Sequence, residues 1–214
     1  MSGALVISGT DTGIGKTVVA AGLAAALGAH YWKPIQAGTV EGTDSGTARE
    51  LGVPAEHVVP EAYRLAAPAS PHLAAQQEGL ALDPARLDLP VGRPLIVEGA
   101  GGLMVPIRRD PPWLMIDQFG AWGAPVLLVA RTGLGTINHS LLSIEALKVR
   151  GIPVAGIVFV GDEHVDNESV IPDMTGVSNL GRVPMIEILD FLSLERALAR
   201  LDLAAIRAAM GLAG

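Results

Sequence analysis

Residues 4–17 read ALVISGTDTGIGKT, and the fold turns on this stretch. A short apolar run, 4–8, is followed by a Gly-rich turn that ends in Gly-Lys-Thr. A helix pattern then begins at Lys16. This order of strand, glycine turn and helix is the context that a phosphate-binding loop needs. The spacing is unusual, because five residues separate Gly9 from Gly15 where the common pattern has four. Backbone amides at a helix start attract anionic oxygens, and the helix dipole adds to the attraction. Lys16 is placed to reach the β- and γ-phosphates of a nucleotide, and the Thr17 hydroxyl to ligate Mg²⁺.

Outward from the loop, the chain alternates between short apolar runs and helix-like segments. The strand-like runs are 30–34, 94–99, 125–130, 153–160 and 180–186, most of them β-branched and bounded by Gly or Pro. Such runs fit buried parallel strands. The segment 16–28 reads as a helix with Gly28 as C-cap, and 136–151 as one with Thr136 as N-cap and Gly151 as stop. A last helix is expected over 192–213. The expected fold class is α/β, a single-domain P-loop fold with a mostly parallel sheet flanked by helices on both faces. One domain spanning 1–214 is expected, since no repeat or linker is visible. The stretch 35–93 shows no clear strand and is expected to supply substrate loops.

Composition narrows the function. The 214 residues are half hydrophobic, which excludes a disordered chain. The net charge of −7 and the lack of a basic cluster argue against a nucleic-acid surface or a membrane patch. No cysteine is present, so thiolate metal sites and Cys nucleophiles are excluded. No run reaches the ~18 apolar residues of a membrane span, and a cytoplasmic location is expected.

Two carboxylates stand out as metal ligands. Glu98 ends the run PLIVEG and enters small residues, at the strand end where open α/β folds bind ligands. Asp44 has two readings, a metal ligand or simply the cap of a helix over 45–51. The histidines fit structural roles better than catalytic ones: His72 and His139 as hydrogen-bonding groups, and His30, His57 and His164 as surface or core residues. Trp32, Trp113 and Trp122 read as packing.

Five motifs in order, GTDTGIGKT (9–17), WKPIQAG (32–38), PASPHLAAQQEG (68–79), VEGAGGLMVPI (97–107) and GLGTINHS (133–140), make the chain resemble the dethiobiotin synthetase family. The family's loop carries the same five-residue spacing. The resemblance implies an ATP-dependent ligase that closes a cyclic urea from 7,8-diaminopelargonate and CO₂. A carbamate forms, ATP phosphorylates it to a mixed anhydride, and the second amine displaces phosphate. It implies catalytic roles for Lys16, Lys33 and Thr12, with Thr17, Asp44 and Glu98 holding Mg²⁺. Nucleotide contacts are implied for Gly13, Ile14, Gly15, Lys16, Thr17, Val18, Gly99, Ala100 and Gly101, and for Gly181, Arg182, Val183 and Pro184 near the base. Substrate contacts are implied for Thr12, Lys33 and Ala37, and for Gly135, Thr136, Ile137 and Asn138. This last group is a helix start that reaches the substrate carboxylate across a homodimer, with the amides of Ile137, Asn138 and His139 pointing outward.

Three positions depart from the family pattern. Gly13 replaces a frequent acid, Ala37 a hydroxyl that contacts substrate, and Val160 an Asn that faces adenine. Two rival readings remain. One is a P-loop amide ligase of the cobyrinate-synthase type, which usually brings a Cys-dependent glutaminase domain. The other is a partition-type regulatory ATPase, which carries a second loop lysine where this chain has Asp11.

Overall fold

A computed structural model describes residues 3–212, apart from the side chain of Glu41. The expected domain span 1–214 and the end of the expected last helix run beyond these residues. The strands are β1 (Ala4–Gly9), β2 (His30–Trp32), β3 (Ile35–Ala37), β4 (Val58–Val59), β5 (Tyr63–Leu65), β6 (Leu95–Gly102), β7 (Pro106–Arg108), β8 (Trp113–Leu114), β9 (Val126–Arg131), β10 (Val154–Val160) and β11 (Asn179–Val183). The helices are α1 (Lys16–Leu27), α2 (Asp44–Glu50), α3 (Pro71–Gln77), α4 (Met115–Trp122), α5 (Thr136–Val149), α6 (Val165–Thr175), α7 (Phe191–Leu198) and α8 (Leu203–Met210).

Seven strands form one parallel sheet in the order β11-β10-β9-β1-β6-β2-β4. The sheet is buried on both faces, as its strand composition requires. Successive residues of β1 point to opposite sides. Leu5 and Ile7 join the core beneath α1, α7 and α8. Ala4 and Val6 join the opposite core with Phe119 and Trp122 of α4. A third cluster around Ile157 and Phe159 packs beneath α5 and α6.

Strand β1 is central, with β6 on one side and β9 on the other. The chain reverses direction across the sheet here, and ligands bind at such a switch point beyond the carboxyl strand ends. The phosphate-loop candidate follows β1. Ile7 pairs with Glu98, and Trp32 pairs with Val97, so Lys33 comes level with Glu98. Register alone thus brings two distant sequence positions to the loop.

Several local expectations are corrected. The last helix is two helices, because the Asp202 side chain accepts from the Ala205 amide and starts α8 afresh. Gly135, in the left-handed region at φ 91°, caps α5, and Thr136 is its first helical residue. Thr43 caps α2 by accepting from the Gly46 amide at 3.0 Å, which leaves Asp44 free of that duty. The stretch 35–93 holds three short strands and two helices, all shorter than the periodicity of the sequence reveals. Helix α6, with Pro172 inside it, has no counterpart in the expected elements. Gly28 ends α1 in the left-handed conformation, as expected.

Candidate active site

The loop between β1 and α1 presents a run of backbone amides without partners among the described residues. Thr10 and Thr12 amides are engaged, by Val129 O and Asp11 Oδ1. Among the described residues, no amide of residues 13–18 has a partner within the chain, and pairing resumes at Val19, which bonds Gly15 O. Gly13 and Gly15 hold φ of 69° and 94°, which L side chains rarely adopt. An acid at position 13 would be strained in this backbone, and glycine is not.

A cluster of charge faces this loop. Lys33 Nζ lies 2.7 Å from Asp44 Oδ2 and 2.8 Å from Glu98 Oε1, and it also donates to Gly99 O at 3.1 Å. Thr17 Oγ1 donates to the same Glu98 Oε1 at 2.8 Å. Tyr31 OH donates to the other oxygen, Oε2, at 2.6 Å. Lys16 Nζ folds back onto Asp11 O at 2.7 Å. Gln36 aligns α2, since its Oε1 accepts from the Asp44 amide at 2.8 Å. Lys33 and Glu98 are both buried, where the cost of desolvation rivals the attraction within a pair. So costly an arrangement points to use rather than to stability.

The electrostatics follow from this packing. Burial works against the charge on Lys33, but Glu98 and then Asp44 outweigh it and hold its pKa above the ordinary lysine value. Lys16 moves the other way, lowered by burial first and by the charge of Lys33 second. Burial, reinforced by Glu98, pushes the Tyr31 phenol well above its usual range, so it remains a donor.

Two cavities flank the loop. A cleft of about 660 Å³ is lined by Thr12, Gly13, Gly15, Lys16, Thr17 and Val18 of the loop, by Lys33, Ala37 and Asp44, and by Glu98, Ala100 and Gly101. The segment 68–71 closes one wall. A second cavity of about 390 Å³ lies on the other side of Gly13 and Gly15. Ile14, Val160, Val183 and Pro184 line it, along with Met185, Ile186 and Leu189, which sequence reasoning missed. Its one charged lining side chain, Arg131, is paired with Asp11 at 3.2 Å.

The remaining expected residues lie elsewhere. Gly99 packs against Phe119 and contributes its carbonyl to Lys33. Gly181 abuts Arg200 and Leu201, Arg182 pairs with Glu168 at 3.1 Å, and neither lines either of these two cavities. Gly135, Thr136, Ile137 and Asn138 line neither cavity within one chain. At that helix start the His139 amide bonds Gly135 O, so the expected anion nest narrows to the amides of Ile137 and Asn138. His139 itself is exposed, His72 Nδ1 meets Ser70 Oγ at 3.1 Å, and His164 caps α6. Trp32 packs against Trp122 with tilted rings whose centroids lie 5.9 Å apart, which is packing as expected. Tyr31 was the missed group in the charge cluster. The signal for it was alternation, since Tyr31 in β2 and Lys33 just past its end are two apart along extended chain, and both reach Glu98.

The oxygens gathered around the Lys33 ammonium and Glu98 come from the Thr17 hydroxyl and from the carboxylates of Asp44 and Glu98. This chemistry suits Mg²⁺, which takes few protein ligands and fills its shell with phosphate and water. No group of three or more His, Cys, Asp or Glu residues is placed to cage a metal among the described residues. No helix there is long and apolar enough to cross a membrane.

A family profile described as an AAA domain matches residues 3–192. ATP-dependent dethiobiotin synthetase BioD of Rhodopseudomonas palustris (strain TIE-1) is 55% identical over 93% of this chain and 94% of its own length. The protein of the same name from Novosphingobium aromaticivorans is 55% identical over 92% of this chain and 95% of its own. Among solved structures, the MinC:MinD cell division protein complex of Aquifex aeolicus superposes with a TM-score of 0.57 at 13% identity, covering 99% of this chain and 97% of that one. A ParA family ATPase from Chlorobium tepidum gives 0.56 at 14%, covering 97% of each. These distant likenesses show the P-loop fold alone.

Proposed function

The chain belongs to the ATP-dependent dethiobiotin synthetase family, and from that premise we propose that the cleft beside the phosphate loop closes the urea ring of dethiobiotin. The observation that carries the assignment to this cleft is Lys33. A buried ammonium is held between Asp44 and Glu98, level with a loop whose amides from 13 to 18 have no partner among the described residues.

In this reading the triphosphate lies along residues 13–18, and Lys16 leaves Asp11 O to meet the β/γ-phosphate oxygens. Thr17, Asp44 and Glu98 hold Mg²⁺, which supplies charge neutralisation at the phosphates when bound. One amine of 7,8-diaminopelargonate takes up CO₂ as a carbamate within reach of Lys33, Thr12 and Ala37. A carbamate oxygen attacks the γ-phosphorus and ADP leaves. The second amine then attacks the carbonyl carbon, and phosphate departs with the bridging oxygen. Lys16 and Lys33 stabilise the negative charge that gathers along this path, in a reaction governed by positioning and electrostatics. The base occupies the apolar cavity beyond Gly15. The amides of Ile137 and Asn138 hold the substrate carboxylate from the second subunit of a cytoplasmic homodimer.

Neither rival reading is favoured. Curated relatives matched over most of the chain bear the dethiobiotin synthetase name, whereas MinD- and ParA-type ATPases share only the fold. The test is mass spectrometry of the products formed from diamine, ATP, Mg²⁺ and ¹³C-bicarbonate. Dethiobiotin one mass unit heavy is expected. ATP hydrolysis that ignores the diamine and yields no ring product would overturn the reading.

A further inference from the structure

The carboxylate of Glu98 is anchored at one end and presented at the other. Oε1 accepts from Thr17 Oγ1 and Lys33 Nζ, both at 2.8 Å, and faces the phosphate loop. Oε2 accepts from Tyr31 OH at 2.6 Å, in the interior. Tyr31 is fully buried, in the middle of β2, among Leu5, Ile7 and Ile96 beneath α1. Nothing in that apolar setting calls for a hydroxyl, and phenylalanine would fill the same volume. A buried phenol normally finds a partner, and the partner here is the acid that faces the loop.

We propose that Tyr31 is a positioning residue, which fixes the rotation of the Glu98 carboxylate so that Oε1 is held toward the metal. The terminal torsion of a glutamate is broad and roughly two-fold, so it is poorly fixed by rotamer preference alone. Lys33 cannot fix it during turnover, because its ammonium meets the same oxygen that the metal takes. Thr17 is also committed to the metal. Tyr31 is therefore the donor to Glu98 that remains in place when Mg²⁺ binds. Partners that orient a ligand in this way typically carry a 10–100-fold effect on metal affinity.

The inference rests on the reading of Glu98 as a metal ligand, and the test separates the two. Affinity for a non-hydrolysable ATP analogue is measured with Mg²⁺ and with EDTA, for native protein, Tyr31→Phe and Glu98→Gln. Expected is a Mg²⁺-dependent gain that falls about tenfold in Tyr31→Phe, with affinity in EDTA unchanged within twofold. A full native gain in Tyr31→Phe, together with loss of the gain in Glu98→Gln, overturns the positioning role and leaves the metal reading standing. A full gain in Glu98→Gln overturns both. A role in packing alone would lower the melting temperature of Tyr31→Phe and leave the gain intact. A second measurement needs no change at position 31. The chain has two tyrosines, so protein grown on 3-fluorotyrosine gives two ¹⁹F resonances, assigned with Tyr63→Phe. The Tyr31 resonance is expected to shift when Mg²⁺ joins the bound analogue. A resonance that stays fixed overturns the proposal.

Discussion

At the scale of single residues, function was legible where a side chain belongs to a motif and illegible where it acts through register. Lys16 and Thr17 announce themselves in Gly-Lys-Thr. Lys16→Ala is expected to remove turnover without unfolding the protein, because among the described residues its ammonium donates to the loop carbonyl of Asp11 alone; near-native turnover would contradict its placement at the phosphates. Lys33 and Glu98 stood out separately, yet their 2.8 Å contact follows from the pairing of β2 with β6, which no local pattern encodes. Lys33→Met leaves Glu98 and the partly exposed Asp44 facing each other without a cation. Removing one partner of a buried pair costs about 3–5 kcal/mol, less here for the exposure of Asp44. Thermal unfolding in EDTA should therefore drop, and Mg²⁺ with ATP should restore much of the loss. Dethiobiotin formation should disappear while nucleotide still binds, and calorimetry showing lost ATP binding would contradict that division. The raised pKa of Lys33 means that its pairing stabilises the fold throughout the range below the ordinary lysine value of about 10.4, and that this is lost only as pH rises through the higher folded value. Ala37 lines the cleft without a hydroxyl. A hydrogen bond gained there by Ala37→Ser is worth ~1 kcal/mol, so diamine binding should tighten up to about tenfold; weaker binding would mean that another group already fills the position.

At the scale of elements, the strongly apolar strands and the long helices were readable and the short pieces were not. Strand β1 and helices α1 and α5 sit within a residue or two of their expected spans. The pieces between β2 and β6 run to seven residues at most, too few to show a period, and their form depends on the packing around the cleft. The break between α7 and α8 was hidden because helix-forming residues flank a single capping Asp202. The end of β10 shapes the apolar cavity proposed above for the base. Val160, Val183, Pro184, Met185, Ile186 and Leu189 bring only apolar side chains to it. Three carbonyls at the ends of β10 and β11 are paired within the chain, that of Val160 with Thr132, that of Val183 with Gly161 and that of Gly161 with Arg182. An Asn that grips adenine through two hydrogen bonds would discriminate by ~1–3 kcal/mol, and among the described residues no Asn or Gln lines this cavity. GTP and CTP are therefore expected to support turnover within about tenfold of ATP, and Val160→Asn to raise the preference for ATP. Measured kcat/KM favouring ATP by more than roughly a hundredfold would contradict this.

At the scale of the whole molecule, the sheet order places the loop, the buried acid and Lys33 together at one switch point, while the amides of Ile137 and Asn138 remain outside the cleft of their own chain. In the function proposed above, a second copy completes the site. Along α5, Leu134 just before its start is fully exposed, Leu142 in its middle is 56% exposed and Val149 at its far end is 77% exposed, apolar side chains that a partner could cover and that Leu142→Arg should disrupt. Sedimentation is expected to show a dimer for native protein and monomer for the variant, with a raised KM for the diamine; a native monomer with full activity would contradict the shared site. The chemistry assigned to the cleft can be read in the fate of one oxygen. If a carbamate attacks ATP and the second amine expels phosphate, the bridging oxygen comes from bicarbonate. The direct measurement is a short incubation with ¹⁸O-bicarbonate, before label exchanges with water, followed by mass analysis of the released phosphate. One ¹⁸O atom in each phosphate, with one dethiobiotin formed per ADP, is expected. Unlabelled phosphate released in step with dethiobiotin would contradict activation of the carbamate by ATP in this cleft.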